Sequence, residues 1–294
     1  MGFMANLKAQ KAYQLHSKGK YDEALPLYKE AVEKGLDQPR FLLTYAVLLI
    51  RLGEYQQAKD LLVKTQKAPG ITPEQKVQLF MDYAVCCYKL GDINRGIGLL
   101  EKQHQRQPTG MVYETLGYLY VESVLPKYKP CVEAFQAVQE AQAAAAAQAA
   151  AVAAGMVEED PEAVQVAEEV PAAQPEVSAE EMRDAWWQER IDKVRAFIEE
   201  SLEYDEEDAI CLDNMGQFLY RVMGDKAGAK EWFEKAHAVK PSQIDTLWFL
   251  SRYDVEAGDK AAALEKLETA LEGRFSALNY CTKAMVEEEI SKLK

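Results

Sequence analysis

The run Gly19-Lys20-Tyr21-Asp22-Glu23-Ala24-Leu25-Pro26-Leu27-Tyr28-Lys29-Glu30-Ala31 returns 34 residues downstream, where Gly53, Tyr55, Ala58, Leu62 and Thr65 stand for Gly19, Tyr21, Ala24, Tyr28 and Ala31. Near the other end, Gly224-Asp225-Lys226-Ala227 returns as Gly258-Asp259-Lys260-Ala261, and Ala229, Phe233 and Ala236 return as Ala263, Leu267 and Ala270, again at a shift of 34. A third unit carries Tyr83-Ala84, Leu90-Gly91-Asp92-Ile93, Leu100 and Pro108, offset by four through the Pro69-Gly70-Ile71-Thr72-Pro73 loop. Self-similarity at a fixed period changes the meaning of every glycine, so it is weighed before any motif. Small residues on one helix (Ala46, Ala84, Gly117, Gly216) face small residues on the next (Ala24, Ala58, Ala229, Ala263), which lets two backbones approach closely. Glycine then ends the first helix in a left-handed cap, and Pro108 or Pro241 stops the second. A pair of this kind cannot bury its apolar surface alone and must stack on its neighbours.

These residues resemble the tetratricopeptide repeat (TPR) family, over residues 5–124 and about 209–276. The tryptophan position of that pattern holds Lys8, Leu42, Phe80, Tyr113, Leu212 and Leu247, and Gly96 replaces the second-helix alanine of the third unit. The resemblance implies an all-α, helix-turn-helix solenoid, a right-handed superhelix of about five to six helix pairs whose first helices line a concave groove for a protein segment. Some TPR proteins hold a C-terminal carboxylate with a lysine and asparagine clamp. Ala9, Tyr13, Thr44, Gln78 and Asp82 do not reproduce it, so chaperone-tail binding is not expected.

The chain has 294 residues, with 34 basic and 48 acidic side chains and a net charge of −14. Such a charge opposes binding to nucleic acid and to anionic lipid, so neither is expected as a partner. Met1-Gly2-Phe3-Met4-Ala5-Asn6 lacks the apolar core of a secretory signal, and Asn6 departs from the myristoylation pattern. Five cysteines without a CxxC pair fit a reducing compartment, so the expected location is cytoplasmic. His16, His104 and His237 are far apart, with no metal-ligand spacing, and neither a phosphate-binding glycine loop nor a nucleophile elbow occurs. No cofactor, no metal and no enzymatic activity are expected.

Three segments follow: residues 1–125 as N-terminal repeats, 126–180 as an interrupted unit, and 181–294 as C-terminal repeats with a capping helix. In the middle segment Tyr128, Cys131, Phe135 and Val138 have the spacing of a second helix that runs into a tract where 11 of the 14 residues from 141 to 154 are alanine. Residues 158–180 hold eight acids, no basic residue and the prolines 161, 171 and 175, the composition of a flexible linker. Trp187, Ile191, Val194, Ile198 and Leu202, with Trp186 and Phe197 beside them, mark a helix that can serve as the displaced second helix of the fourth unit, making one solenoid; the alternative is two short arrays. Trp186-Trp187 reads as core packing more readily than as a ligand site. Leu278, Cys281, Met285, Ile290 and Leu293 mark a final capping helix.

In register, the first helices send Arg40, Leu43, Val47 and Ile50, then Gln78, Met81, Val85 and Tyr88, then Met111, Glu114, Tyr118 and Val121 towards the groove. The C-terminal units contribute Ile210, Asp213, Gln217 and Tyr220, then Asp245, Trp248, Arg252 and Val255, with Asn214 and Phe249 adjacent. The first strip suits an amphipathic helix or extended apolar peptide, and the Trp248/Arg252 combination has the chemistry of a binding hot spot. Either a partner meets these residues or neighbouring helices, the insertion or the C-terminal helix bury them. The expected function is therefore a scaffold or adaptor that binds a protein or peptide. Its rival is a self-assembly module whose groove is filled by its own insertion or another copy.

Overall fold

The computed structural model describes residues 2–125 and 179–294. Among them are thirteen α-helices and no strand. They are α1 (Gly2–Ser17), α2 (Tyr21–Glu33), α3 (Pro39–Arg51), α4 (Tyr55–Thr65), α5 (Pro73–Lys89), α6 (Ile93–Arg106) and α7 (Gly110–Ser123). After the gap come α8 (Ala179–Tyr204), α9 (Ala209–Gln217), α10 (Lys226–Val239), α11 (Ile244–Glu256), α12 (Lys260–Leu271) and α13 (Lys283–Leu293). The alanine-rich helix, the acidic linker up to residue 178 and the Tyr128–Val138 helix fall outside the described residues. The chain divides into one unit of residues 1–123 with 194–294 and another of residues 124–193. In the smaller unit Trp187 and Ile191 are buried, the Trp186 and Trp187 ring centres lie 6.4 Å apart, and the Arg190 guanidinium stacks over Trp186.

In the larger unit α1/α2, α3/α4, α5/α6, α9/α10 and α11/α12 pack as pairs, and α1, α3, α5, α7 and α9 also touch in succession, setting the first helices side by side on what is termed the inner face. The close approach rests on side chains that are hardly there: Ala24, Ala46, Ala58, Ala84, Ala229 and Ala263 are all fully buried. The turns are self-contained. At Gly258, φ is +82°, a conformation that costs an L-residue roughly 1 kcal/mol or more, and Asp259 then caps α12 by accepting the Ala262 N–H at 3.0 Å. Gly91 and Asp92 repeat the arrangement at α6, where φ is +88° and the Asp92 carboxylate accepts from Arg95 N–H at 3.4 Å. At α5, Pro73 follows a full capping box in which Thr72 and Gln75 satisfy each other's backbone N–H groups.

The fifth unit departs from this plan by one residue. Seven positions separate Ala46 from Gly53 and Ala84 from Gly91, but eight separate Gly216 from Gly224. The extra residue is absorbed in a π-helical turn, Phe218–Met223, between α9 and the left-handed Gly224.

Within the larger compact unit the C-terminal part of α8, from Val194 on, packs beside α6 and α7. Phe197 stands 5.0 Å from the Tyr120 ring centre and 5.3 Å from that of His104, while the Tyr113 hydroxyl donates to Glu200 at 2.8 Å. The cap differs from the sequence expectation. Leu278 and Cys281 belong to no helix: α13 begins only at Lys283, where Thr282 Oγ1 accepts from Met285 N–H at 3.2 Å. The backbone N–H groups of Tyr280 and Cys281 are drawn instead to the Asp245 carboxylate, at 2.9 and 3.1 Å, and that competition prevents a helix from starting there.

Candidate functional site

The inner face combines the apolar strip of the N-terminal first helices with a polar network on the C-terminal ones. Leu43, Ile50, Met81 and Val85 are buried, and Val47 is half-buried. Part of their cover is the chain's own: Ala277 and Leu278, from the connection between α12 and α13, pack against the core that includes Leu43, Ile50 and Val85. Arg51 Nη1 secures the same connection by donating to the Phe275 carbonyl at 2.9 Å, across 224 positions of sequence. Two predicted positions remain open to solvent. Met111 is 49% exposed, and Arg40 is exposed with its guanidinium 4.7 Å from the Tyr13 ring centre.

Further along, Gln78 donates to Asp82 Oδ1 at 3.0 Å, while Asp82 Oδ2 is buried without a partner. Burial pushes the Asp82 carboxyl up to about 7, with the Gln78 hydrogen bond acting in the opposite direction. Tyr88 donates to Glu122 at 2.8 Å and meets the Tyr118 ring edge-on at 6.0 Å. Glu122 is also paired with Arg221 at 2.6 Å, both side chains being at most 10% exposed. Arg221 then donates to Gln217 at 2.8 Å, Gln217 donates to Asp213 at 2.7 Å, and Thr246 donates to Asp213 at 2.6 Å. Burial raises the Asp213 carboxyl well above the usual range, helped by the negative charge of Asp245, itself raised chiefly by burial.

Asn214 reaches from α9 to the Glu114 carbonyl on α7 at 3.1 Å. Tyr220 stacks obliquely on Phe249 at 5.1 Å. Trp248 is buried beneath Arg252, whose guanidinium lies 4.1 Å from its ring and pairs with Glu289 of α13 at 2.8 Å. Beside this network, between α7, α9, α11 and the α12–α13 connection, lies an open cleft of ≈ 620 Å³ lined in part by Glu114, Asn214, Gln217, Gln243 and Asn279.

Residues 15–69 match the family model described as tetratricopeptide repeat. The crystal structure of PilW, a widely conserved type IV pilus biogenesis factor, shares the fold, with a TM-score of 0.53 at 12% identity over 100% of this chain and 99% of that one. The chain has a tetratricopeptide repeat fold. Weaker likenesses carry no further argument: MamA from Desulfovibrio magneticus RS-1 has a TM-score of 0.48 at 17% identity over 83% of this chain and 98% of that one. A tetratricopeptide repeat protein from Parabacteroides merdae ATCC 43184 has a TM-score of 0.42 at 13% identity over 99% of each chain. No curated protein matches the sequence.

Most of the apolar side chains that the register assigns to the groove are out of solvent. The Trp248/Arg252 pair is closed by Glu289. Sequence reasoning passed over Glu122, Arg221, Arg51 and the α12–α13 connection. The signal for two of them was present: Glu122 is an acid within the otherwise apolar Tyr118-Leu119-Tyr120-Val121, and Arg221 a base within Phe218-Leu219-Tyr220-Val222-Met223. Lone opposite charges in two apolar runs are candidates for a buried pair. Among the described residues no three metal-ligand side chains gather, and no helix is long and apolar enough to cross a membrane.

Proposed function

We propose that the protein is a non-catalytic scaffold that binds a segment of another protein along the inner face of its first helices. The observation that carries this reading is the ≈ 620 Å³ cleft walled by amide and carboxyl groups from three first helices, α7, α9 and α11. Its polar groups are those that pair with peptide backbone. Asn214, Gln217 and Asp213 already serve as hydrogen-bonding partners to one another and to the α7 backbone, so they are held in place before any partner arrives. Burial pushes the Cys86 and Cys211 thiols up to about 12, which keeps both protonated and unreactive at neutral pH.

The test is a photo-crosslinking amino acid at Met111, exposed at the edge of the inner face, with the same group at Lys230 on exposed α10 as control. Crosslinking in cells should give a discrete protein adduct from position 111 alone. The same adducts from both positions, or none from 111, would remove the inner face as the binding surface.

A further inference from the structure

The connection Gly273–Cys281 is longer than the other turns between pairs, and it does not cross the end of the stack idly. It lies on the inner face and is held there along its length. Arg51 Nη1 takes the Phe275 carbonyl at 2.9 Å. Ala277 and Leu278 pack against the N-terminal core that includes Leu43, Ile50 and Val85. Tyr280 stacks on Phe249, 5.0 Å between ring centres and 25° between planes, with the Arg221 guanidinium 4.1 Å from its ring. Asp245 receives four donors from the segment: Asn279 Nδ2 at 3.1 Å, Tyr280 N–H at 2.9 Å, Cys281 N–H at 3.1 Å and Cys281 Sγ at 3.3 Å. The entry is sterically fixed, since a Cβ at Gly273 would stand 2.6 Å from Ile244 Cδ1.

These are contacts of the kind a bound peptide makes, and the segment carries its own turn, in which Asn279 N–H donates to the Ser276 carbonyl at 3.2 Å and Ser276 N–H to Asn279 Oδ1 at 2.7 Å. Backbone groups meet a carboxylate and a guanidinium, one aromatic ring fills a stacked slot, and an alanine and a leucine pack against the N-terminal core. We propose that residues 273–281 are an internal occupant of the groove, and that the external partner is a peptide segment with a similar turn that replaces them and reproduces their contacts. Its chemistry follows from the footprint: a carbonyl for Arg51, an apolar pair for the N-terminal core, and an aromatic residue flanked by free backbone N–H groups for Phe249, Arg221 and Asp245. This rests on the reading of the inner face as a protein-binding surface and adds which segment competes for it.

The probe is a fluorescein-labelled peptide of residues 272–282 carrying Cys281→Ser. Its receptor is the full chain with the internal segment weakened by Leu278→Ala, Asn279→Ala and Tyr280→Ala, which leaves the facing residues untouched. The weakened chain should bind the peptide at least about tenfold more tightly than the unaltered chain, and Asp245→Ala in the weakened chain should abolish that gain. Equal binding to both chains, or binding to neither while both keep native helical circular dichroism, overturns the proposal.

A second measurement needs no substitution. In the unaltered chain, amide exchange followed by mass spectrometry should show residues 273–282 opening at least about 100-fold faster than α11 and α13. Exchange at the same rate as those helices overturns displacement by any partner. If the peptide binds as expected but position 111 gives no adduct in cells, the footprint stands and the assignment of an external partner falls.

Discussion

Gly96 lies so close to the backbone of Ala84 that a Cβ at position 96 would stand 2.9 Å from the Ala84 carbonyl oxygen. Alanine holds the equivalent place in four other second helices, at Ala24, Ala58, Ala229 and Ala263, so the glycine looks like drift in the sequence and is a fit in the structure. Gly96→Ala would gain about 1 kcal/mol of helix propensity and lose about 1–3 kcal/mol to overpacking against backbone that has no rotamer to yield. A net loss of up to about 2 kcal/mol in urea denaturation is expected. A variant as stable as the parent would show that the two helices part at no cost.

Stability should fall as pH rises through the range set by Asp82. Its carboxyl titrates near 4 when unfolded and at about 7 when buried on α5, so between those values the folded chain keeps a proton that the unfolded chain has released. The contribution is complete below pH 4, declines to pH 7 and stays lost above it. Thermal denaturation at pH 5 and pH 8 should differ by on the order of 2–3 kcal/mol from this residue, in favour of pH 5, with Asp213 and Asp245 acting in the same direction. Asp82→Asn, which keeps the shape and removes the titration, should flatten the difference. A parent chain more stable at pH 8 than at pH 5 contradicts the assignment.

Glu122 and Arg221 form a test of buried charge. Arg221→Leu leaves the buried Glu122 carboxylate with the Tyr88 hydroxyl and the more distant charge of Lys89, and should cost about 3–5 kcal/mol. Adding Glu122→Gln should restore a substantial part of that loss, because the pair's own net contribution is far smaller than the penalty of an orphaned charge. Strictly additive losses in the double variant would mean that the two side chains do not interact.

Thiol chemistry gives a simpler reading of the core. Cys86 and Cys211, both buried and pushed up to about 12, should resist iodoacetamide at pH 8 in the folded chain and react once it is unfolded in guanidinium. Peptide mass mapping of the alkylated sites checks this, and early modification of either would place it outside the core.

The 34-residue period announced the helix pairs because each turn carries its own chemistry in sequence order, glycine for the left-handed cap and then aspartate for the next helix start. The π-helical turn at Phe218–Met223 was available by counting, as one residue too many between Gly216 and Gly224, but only the stack shows where the surplus goes. Leu278 and Cys281 misled because helical spacing is local, whereas the Asp245 carboxylate that holds this segment out of a helix is 35 positions from Tyr280. The candidate site was half legible for a similar reason. Register states which way Leu43, Met81 and Val85 point; it carries no information about what lies opposite them, and Ala277 and Leu278 come from the far end of the chain.

Asn214 on the Glu114 carbonyl, Glu200 on Tyr113 and Arg221 on Glu122 join residues before position 124 to residues after 193 by contacts that owe nothing to the peptide bonds between them. Closing a long loop grows dearer only with the logarithm of its length, so the repeats on either side are insensitive to how much chain intervenes. Two separately made polypeptides, ending and starting within residues 126–178, would then be expected to find each other and rebuild the same stack, a complementation that most single-core domains of this size do not permit.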